Sequence, residues 1–208
     1  MQKTLLAVIA AAVVSVGLSV NFAGAAGTPA DKVAAAGATP EVAAPGEAVT
    51  LLSEQIRTSN TSDLILGVTS ECVITTELTT TGNDLANARG TVDMWIEIDG
   101  QSVPVATGGE EADDGHVTFC DHFQEREVTN LDDEDATIRT LDEIGTSNAF
   151  NWLALNVGNG IHTIELKADL TTSMTENADA MAAVGKRTLV IEPTHAAQDE
   201  EVSTLAAD

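Results

Sequence analysis

Hydrophobic and polar side chains alternate along most of the chain between residues 48 and 195. The longest alternating run is 63–80, whose apolar phase carries Leu64, Leu66, Val68, Cys72, Ile74 and Leu78. A period of two is typical of a strand with one face in a core, so we predict one long antiparallel strand, or two joined by a kink. Similar patterns predict strands at 49–58, 91–98, 102–107, 116–128, 150–157, 161–171 and 187–192.

Two short segments are predicted to form helical turns instead, at 137–144 and at 177–184, the second of which ends at Gly185. Many short strands with few helices are typical of an all-β fold. We therefore expect one domain over 48–195, an antiparallel β-sandwich of Ig-like or jelly-roll-like type, with a barrel as the alternative.

The apolar stretch around residues 150–170 is predicted to be a hairpin with Asn159–Gly160 as a two-residue turn. This register makes one face wholly apolar, whereas a one-residue slip would not. The pairs on the apolar face are Leu155 with Ile164 and Leu153 with Leu166. On the other face Trp152 lies opposite Lys167.

A second hairpin is predicted around the turn Asp99–Gly100. Its cross-strand pairs are Ile96 with Val103, Met94 with Val105 and Trp95 with Pro104. The first two pairs make a core face and the third lies on the polar face. A proline cannot donate to a strand ladder, so Pro104 also indicates an edge strand.

Both tryptophans of the chain therefore fall on the polar phase of their strands. One interpretation is that a loop, a short helix or the N-terminal arm covers them. The other is an exposed platform that stacks on a sugar or a protein partner. The candidate binding face consists of Trp95, Pro104, Phe150, Trp152 and Lys167.

The N-terminus is typical of a secretory signal peptide, predicted at 1–25. Lys3 precedes the apolar run 5–20, and Ala23–Gly24–Ala25 supplies the small residues of a cleavage site. The next segment, 26–47, is rich in Ala, Gly and Pro and is predicted to be a flexible arm; 196–208 is predicted to be a disordered acidic tail. We expect an exported protein, extracellular or periplasmic, without membrane insertion.

Cys72 and Cys120 are the two cysteines of the chain, and in an exported protein they are expected to form a disulfide. His116, Cys120 and His122 share a strand phase and offer a zinc site as the alternative. That site would require Cys120 as a free thiolate.

The chain has 33 acidic and 9 basic residues, a formal charge of −24. Such a surface repels phosphate groups, which excludes nucleic acid and anionic membrane surfaces as partners. Two acidic clusters are candidate calcium ligands. They are Glu110, Glu111, Asp113 and Asp114, and Asp132, Asp133, Glu134 and Asp135. The alternative is that both are solvated acidic loops, and we expect no other cofactor.

No catalytic motif is recognisable in the sequence. His162 follows the inward phase of its predicted strand, so we interpret it as a satisfied core histidine rather than a base.

Four segments resemble a group of secreted bacterial single-domain β-sandwich proteins of uncharacterised function. They are DDEDATIRT (132–140), NAFNWLALNVGNGIHTIELKA (148–168), EC at 71–72 and TFC at 118–120. The resemblance implies a fold but no activity. More loosely, GIHTIEL resembles the last hairpin of Ig-like modules, although the Cys–Trp spacing differs and no tyrosine corner is possible.

The functional hypothesis is an exported, non-catalytic binding or cell-surface module with a protein or glycan partner. One alternative is a self-assembling extracellular structural subunit that associates through an edge strand or the N-terminal arm. A secreted enzyme is the second alternative.

Overall fold

The computed structural model describes residues 32–42, 47–82, 84–105, 113–128 and 136–194. This part of the chain is all-β, with nine strands and no helix. The strands are β1 (Val33–Gly37), β2 (Val49–Thr58), β3 (Ser62–Thr81), β4 (Leu85–Ile98), β5 (Gln101–Ser102), β6 (Val117–Glu127), β7 (Thr137–Val157), β8 (Gly160–Met174) and β9 (Ala178–Thr194). The described residues include no helix that could span a membrane.

The strands form two antiparallel sheets. Sheet 1 has the order β1-β9-β3-β7, and sheet 2 has the order β2-β8-β4-β5, with β6 also paired to β4. Each strand sends alternate side chains inward, so the two sheets enclose one main hydrophobic core. The core contains Leu64, Leu66 and Ile74 from β3, Val92, Met94 and Ile96 from β4, and Ile164 and Leu166 from β8.

The long alternating strand predicted at 63–80 is confirmed as β3. It lies inside sheet 1, where it pairs with β7 on one side and with β9 on the other. All six residues of the predicted apolar phase, from Leu64 to Leu78, are buried.

The two predicted helical turns are wrong. Residues 137–144 are the first part of β7, and most of 177–184 belongs to β9. Both segments pair along β3, and alternate residues of each gain ladder hydrogen bonds that a single helical turn could not replace. In β9 the burial alternates with a period of two: Ala182 and Val184 are buried, and Ala183 is less so.

The hairpin predicted around Asn159–Gly160 is also wrong, although both strands exist. β7 pairs with β3 in sheet 1, whereas β8 pairs with β2 and β4 in sheet 2. The chain therefore crosses from one sheet to the other at Gly158–Asn159. The faces are reversed as a result: Trp152 and Ala154 point into the core, and Leu153 points outward. Pairing over two long strands outweighs a local turn signal.

The turn at Asp99–Gly100 is confirmed. Both residues have positive φ, 52° and 80°, as a type I′ turn requires. The N–H of Val103 donates to the carbonyl of Ile96 at 2.8 Å, in the predicted register. The second strand of this hairpin is shorter than predicted, since β5 ends at Ser102 and Met94 pairs with Val117 of β6.

The predicted flexible arm contains an ordered strand. β1 pairs with β9 from Val33↔Ile191 to Gly37↔Arg187, at one edge of sheet 1. Its alternate residues, Val33 and Ala35, are half-buried, and Val33 packs against the core. The predicted signal peptide and acidic tail lie outside the described residues.

The predicted disulfide is confirmed. Cys72 of β3 and Cys120 of β6 are bonded, with their Cα atoms 6.5 Å apart, so the bond joins sheet 1 to sheet 2. Cys120 pairs with Val92, but the next pair is Asp93 with Thr118. Phe119 is the extra residue of this bulge, which is why two successive residues of β6 are both buried.

Candidate functional site

Trp95 lies on the outer face of sheet 2 but is only 6% exposed. Its ring stacks on the imidazole of His116, with 4.1 Å between the centroids, and its N–H donates to Glu97 Oε1 at 2.9 Å. Lys167 is the cross-strand neighbour of Trp95, and its ammonium group lies 3.2 Å from Glu165 and 3.7 Å from Glu97. A covered, hydrogen-bonded ring of this kind offers no stacking platform.

Trp152 lies in the core and is 1% exposed. Its N–H donates to the carbonyl of Gly115 at 2.8 Å, and its ring contacts Phe119 and Phe150. Gly115 has φ of 77°, and a Cβ there would lie 2.2 Å from the carbonyl oxygen of Val103. The segment Gly115–His116 is thus held from both sides, by Trp152 in the core and by Trp95 outside sheet 2.

The structure separates the five residues of the predicted binding face. Trp95 and Lys167 share the outer face of sheet 2, whereas Trp152 and Phe150 pack in or against the core. Pro104 is exposed beyond β5. The segment before β6 covers Trp95, as the first of the two interpretations expected. Trp152 is buried for another reason, because the pairing of β7 with β3 turns its side chain into the core.

Two of the eight acidic candidates are described. Asp113 Oδ1 accepts the N–H of Gly115 at 2.8 Å, and Asp114 Oδ1 accepts the N–H of His116 at 3.0 Å. The remaining candidates, Glu110, Glu111, Asp132, Asp133, Glu134 and Asp135, lie outside the described residues. Within the described ranges no three metal-ligating side chains converge, and calcium binding stays a prediction. The zinc alternative lacks its thiolate, because the sulfur of Cys120 is oxidised.

His162 is satisfied at both ring nitrogens, as predicted. Nδ1 lies 2.7 Å from Asp99 Oδ2, and Nε2 lies 2.9 Å from the carbonyl oxygen of Gly158. The hydrogen bond to Asp99 raises the pKa of His162, and the bond from His162 lowers the pKa of Asp99. Two acceptors favour the doubly protonated ring. A cavity of about 410 Å³ lies beside this pair, but the imidazole directs no free nitrogen into it.

The free edge of β7 is the main feature that the sequence did not predict. β7 is 21 residues long and pairs with β3 along one side. Among the described residues no strand pairs with its other side. Residues 143–149 are all exposed. The β-branched residues Thr137, Ile138 and Thr140, three within four positions, were the signal that could have indicated a strand here.

The ladder shows which residues of β7 direct their backbone to the free edge. The N–H of Gly82 donates to the carbonyl of Ala136 at 3.0 Å, which makes this a hydrogen-bonded pair. Pairs alternate along an antiparallel ladder, and the register is constant from Thr81↔Thr137 to Leu64↔Ala154. Even-numbered residues therefore bond to β3. Odd-numbered residues from 137 to 153 point their N–H and C=O groups away from it.

From Thr137 to Leu153 this edge lacks the usual protection against pairing; the bulge of β7 lies beyond that stretch, between Ala154 and Val157. Edge strands are commonly guarded by proline, lysine, bulges or short length. β7 contains neither proline nor lysine, and its charged residues are Arg139, Asp142 and Glu143. No residue from Ile144 to Val157 is charged, in a chain of formal charge −24. The edge strand β1, by contrast, is five residues long.

Comparison with known proteins assigns no family. No protein-family model matches the chain, and no curated protein matches it. Two solved structures of infectious bursal disease virus align with it, the Gx strain at TM-score 0.30 and the Gt strain at 0.27, each at 16% identity. The alignments cover 81% and 80% of this chain but 30% and 32% of the viral chains. Similarity at this level carries no argument about fold or function.

Proposed function

We propose that this protein is an exported, non-catalytic β-sandwich module that binds polypeptide partners through the free edge of β7. The observation that carries the proposal is the outward edge of β7 from 137 to 153, which pairs with no described strand, together with the exposure of residues 143–149. A row of unpaired N–H and C=O groups accepts an additional strand, and main-chain hydrogen bonds supply the affinity.

The chemistry of the edge from Gly145 to Leu153 favours an uncharged, extended segment as the partner there. Gly145, Ser147 and Ala149 have small side chains on the outer face of sheet 1, beside the outward-pointing backbone groups. A partner strand could approach them without a steric barrier. With a formal charge of −24, the molecule as a whole repels acidic polypeptide segments. Because β7 carries no charge between Ile144 and Val157, this repulsion is weaker there.

Export and the absence of catalysis rest on separate observations. The predicted signal segment at 1–25 and the disulfide Cys72–Cys120 both fit an oxidising compartment outside the cytoplasm. His162 would be the natural general base, but both of its nitrogens are engaged. Strand addition needs no cofactor, and calcium at the acidic clusters would be an independent property.

A display library of random peptides tests the proposal, with the mature protein immobilised sparsely so that copies do not meet. We expect enrichment of uncharged peptides whose polar and apolar side chains alternate, as in a strand. Ser147→Pro should abolish the enrichment, because residue 147 directs its N–H outward and the substitution removes no bond to β3. Ser147→Ala keeps that N–H and should bind normally.

A charge at the edge supplies a second comparison. Ala149→Lys should weaken peptide binding, because a lysine on an edge strand disfavours pairing. Thr188→Lys adds the same charge to the same face of sheet 1 but lies on β9, between β1 and β3, and should have little effect. Peptides that bind all four variants equally, or a glycan array that is positive while the library is not, would contradict the proposal.

A further inference from the structure

We infer that the N-terminal part of the free edge of β7, Ile138–Ile144, pairs with the same segment of a second copy of this chain, antiparallel about Leu141. The inference rests on the proposed use of this edge and names the partner.

The sequence Ile138–Ile144 (IRTLDEI) is complementary to itself when two copies run antiparallel. A two-fold axis at Leu141 produces the pairs Ile138 with Ile144, Arg139 with Glu143 and Thr140 with Asp142, each of them twice. Leu141 of one copy then lies directly opposite Leu141 of the other. Opposite charges and matched apolar side chains at directly opposed positions are the pairs that stabilise antiparallel strands.

The backbone phase of β7 agrees with this register. Leu141 is odd-numbered, so its N–H and C=O point to the free edge, as do those of Arg139 and Glu143. Two copies centred on Leu141 therefore form a hydrogen-bonded pair at the axis and further ones on either side. At 63%, Leu141 is also more exposed than any other large hydrophobic side chain in the described part of the chain.

Other two-fold registers match the charges less well. An axis at Asp142 would place this carboxylate opposite itself, and an axis at Glu143 would do the same for Glu143. An axis at Gly145 would pair Leu141 with Ala149 and Glu143 with a serine, without any opposite-charge pair. Two chains of charge −24 repel each other, so a contact with opposite charges is the one that their self-association can tolerate.

Arg139 is available for this contact. In the single chain its guanidinium forms a bidentate ion pair with Glu77 of β3, with N–O distances of 2.5 and 2.6 Å, and its side chain remains 67% exposed. A guanidinium has five N–H donors in a planar fork. It therefore retains donors for Glu143 of the second copy after its bonds to Glu77 are made.

Cysteine cross-linking tests the register. Residues opposed in a hydrogen-bonded pair have Cα atoms about 5.5 Å apart, within the range of a disulfide. Leu141→Cys should oxidise to a covalent dimer at least about tenfold faster than Gly145→Cys or Ala149→Cys, which have the same phase on the same strand but would not face themselves. Equal rates, or a faster reaction at 145 or 149, would overturn the inference. Melting curves and a thiol count confirm that each variant keeps the native fold and disulfide.

Sedimentation equilibrium over a concentration series tests the interaction without new cysteines. Glu143→Lys should weaken dimerisation about tenfold, since two equivalent pairs change from attraction to repulsion. Glu176→Lys, in the turn between β8 and β9, makes the same charge change away from β7 and should dimerise at least as well as the natural chain. A natural chain that stays monomeric throughout overturns the inference.

The outcome separates this inference from the proposed function. A monomer that still selects peptides in the display experiment would leave the edge as a binding site for other proteins. Failure of both experiments would remove the proposed function as well.

Discussion

At the scale of single residues, His162 joins three parts of the chain. Its ring bonds Asp99 in the β4–β5 turn and the carbonyl of Gly158 in the crossing between the sheets. Thr58 of β2 donates its hydroxyl to the same carbonyl, and Asp99 accepts the N–H of Thr163 at 2.8 Å. The histidine thus fastens the crossing to sheet 2 and depends on its proton to do so.

We predict that the ion pair makes stability depend on pH. The pKa of His162 is raised by its bond to Asp99, so its contribution is complete below about pH 6.5 and is lost as pH rises through the raised value. The pKa of Asp99 is lowered, so its contribution is lost as pH falls below about 4. The melting temperature of the natural chain should fall relative to His162→Gln between about pH 6.5 and 9. A constant difference across that range would contradict the prediction.

At the scale of elements, Arg187 of β9 anchors the N-terminal segment. It is 5% exposed, and its guanidinium donates to the carbonyls of Thr39 at 2.7 Å, of Gly185 at 3.1 Å and of Leu51 at 3.2 Å. It also lies 3.3 Å from Glu41 Oε1. These bonds tie the residues after β1 in sheet 1 to β2 in sheet 2, so an element predicted as a flexible arm becomes part of the fold.

We predict that Arg187→Met lowers the free energy of unfolding by about 3 kcal/mol, because it leaves buried carbonyls and Glu41 without a donor. Arg187→Lys should recover only part of the loss, since an ammonium cannot reach so many acceptors at once. Urea unfolding measures the difference. Lys186→Met removes the same charge from the exposed neighbouring position and should cost less than about 0.5 kcal/mol. Equal losses at 186 and 187 would argue against the anchor.

At the scale of the whole molecule, the disulfide holds the two sheets together beside the free edge of β7. It links β3 to β6 across 48 residues. The hydroxyl of Thr146 on β7 lies 3.0 Å from the sulfur of Cys120, and the amide of Asn148 donates to the carbonyl of Phe119. The inward side of β7 is thus held against β6, while its outward backbone groups pair with no strand among the described residues.

We predict that Cys72→Ser combined with Cys120→Ser lowers the free energy of unfolding by about 4 kcal/mol, the loop-closure entropy of a bridge of this length. Urea unfolding of the natural chain with reductant should match the double variant. Alkylation of the natural chain without reductant should label no thiol. Labelling of two thiols would show that the bond is not formed in the isolated protein.

The charge of −24 also leads to a prediction for the whole molecule. We expect melting curves in calcium chloride and in sodium chloride of matched ionic strength to coincide, because screening alone stabilises a chain of this charge. Ion binding to the acidic clusters at 110–114 and 132–135 would add about 2.7 kcal/mol at a hundredfold excess over the dissociation constant. A melting temperature several degrees higher in calcium would establish the site instead.

The sequence by itself determined what depends on neighbouring residues and on composition. The alternation over 63–80 was sufficient to predict β3, because a period of two arises within a single strand. The dipeptide Asp99–Gly100 was sufficient to predict its turn, because few dipeptides adopt positive φ at both residues. The all-β class and the disulfide followed in the same way, from many such strands and from two cysteines in a chain with a predicted export signal.

Only the tertiary structure decided which strands are partners. Trp152 faces the core because β7 pairs with β3 and not with β8, and 137–144 is a strand because β3 extends beside it. The free edge of β7 follows from the same pairing of β7 with β3. Strand pairing joins residues far apart in sequence, and a different partner reverses which face is buried, so no local pattern contains that information.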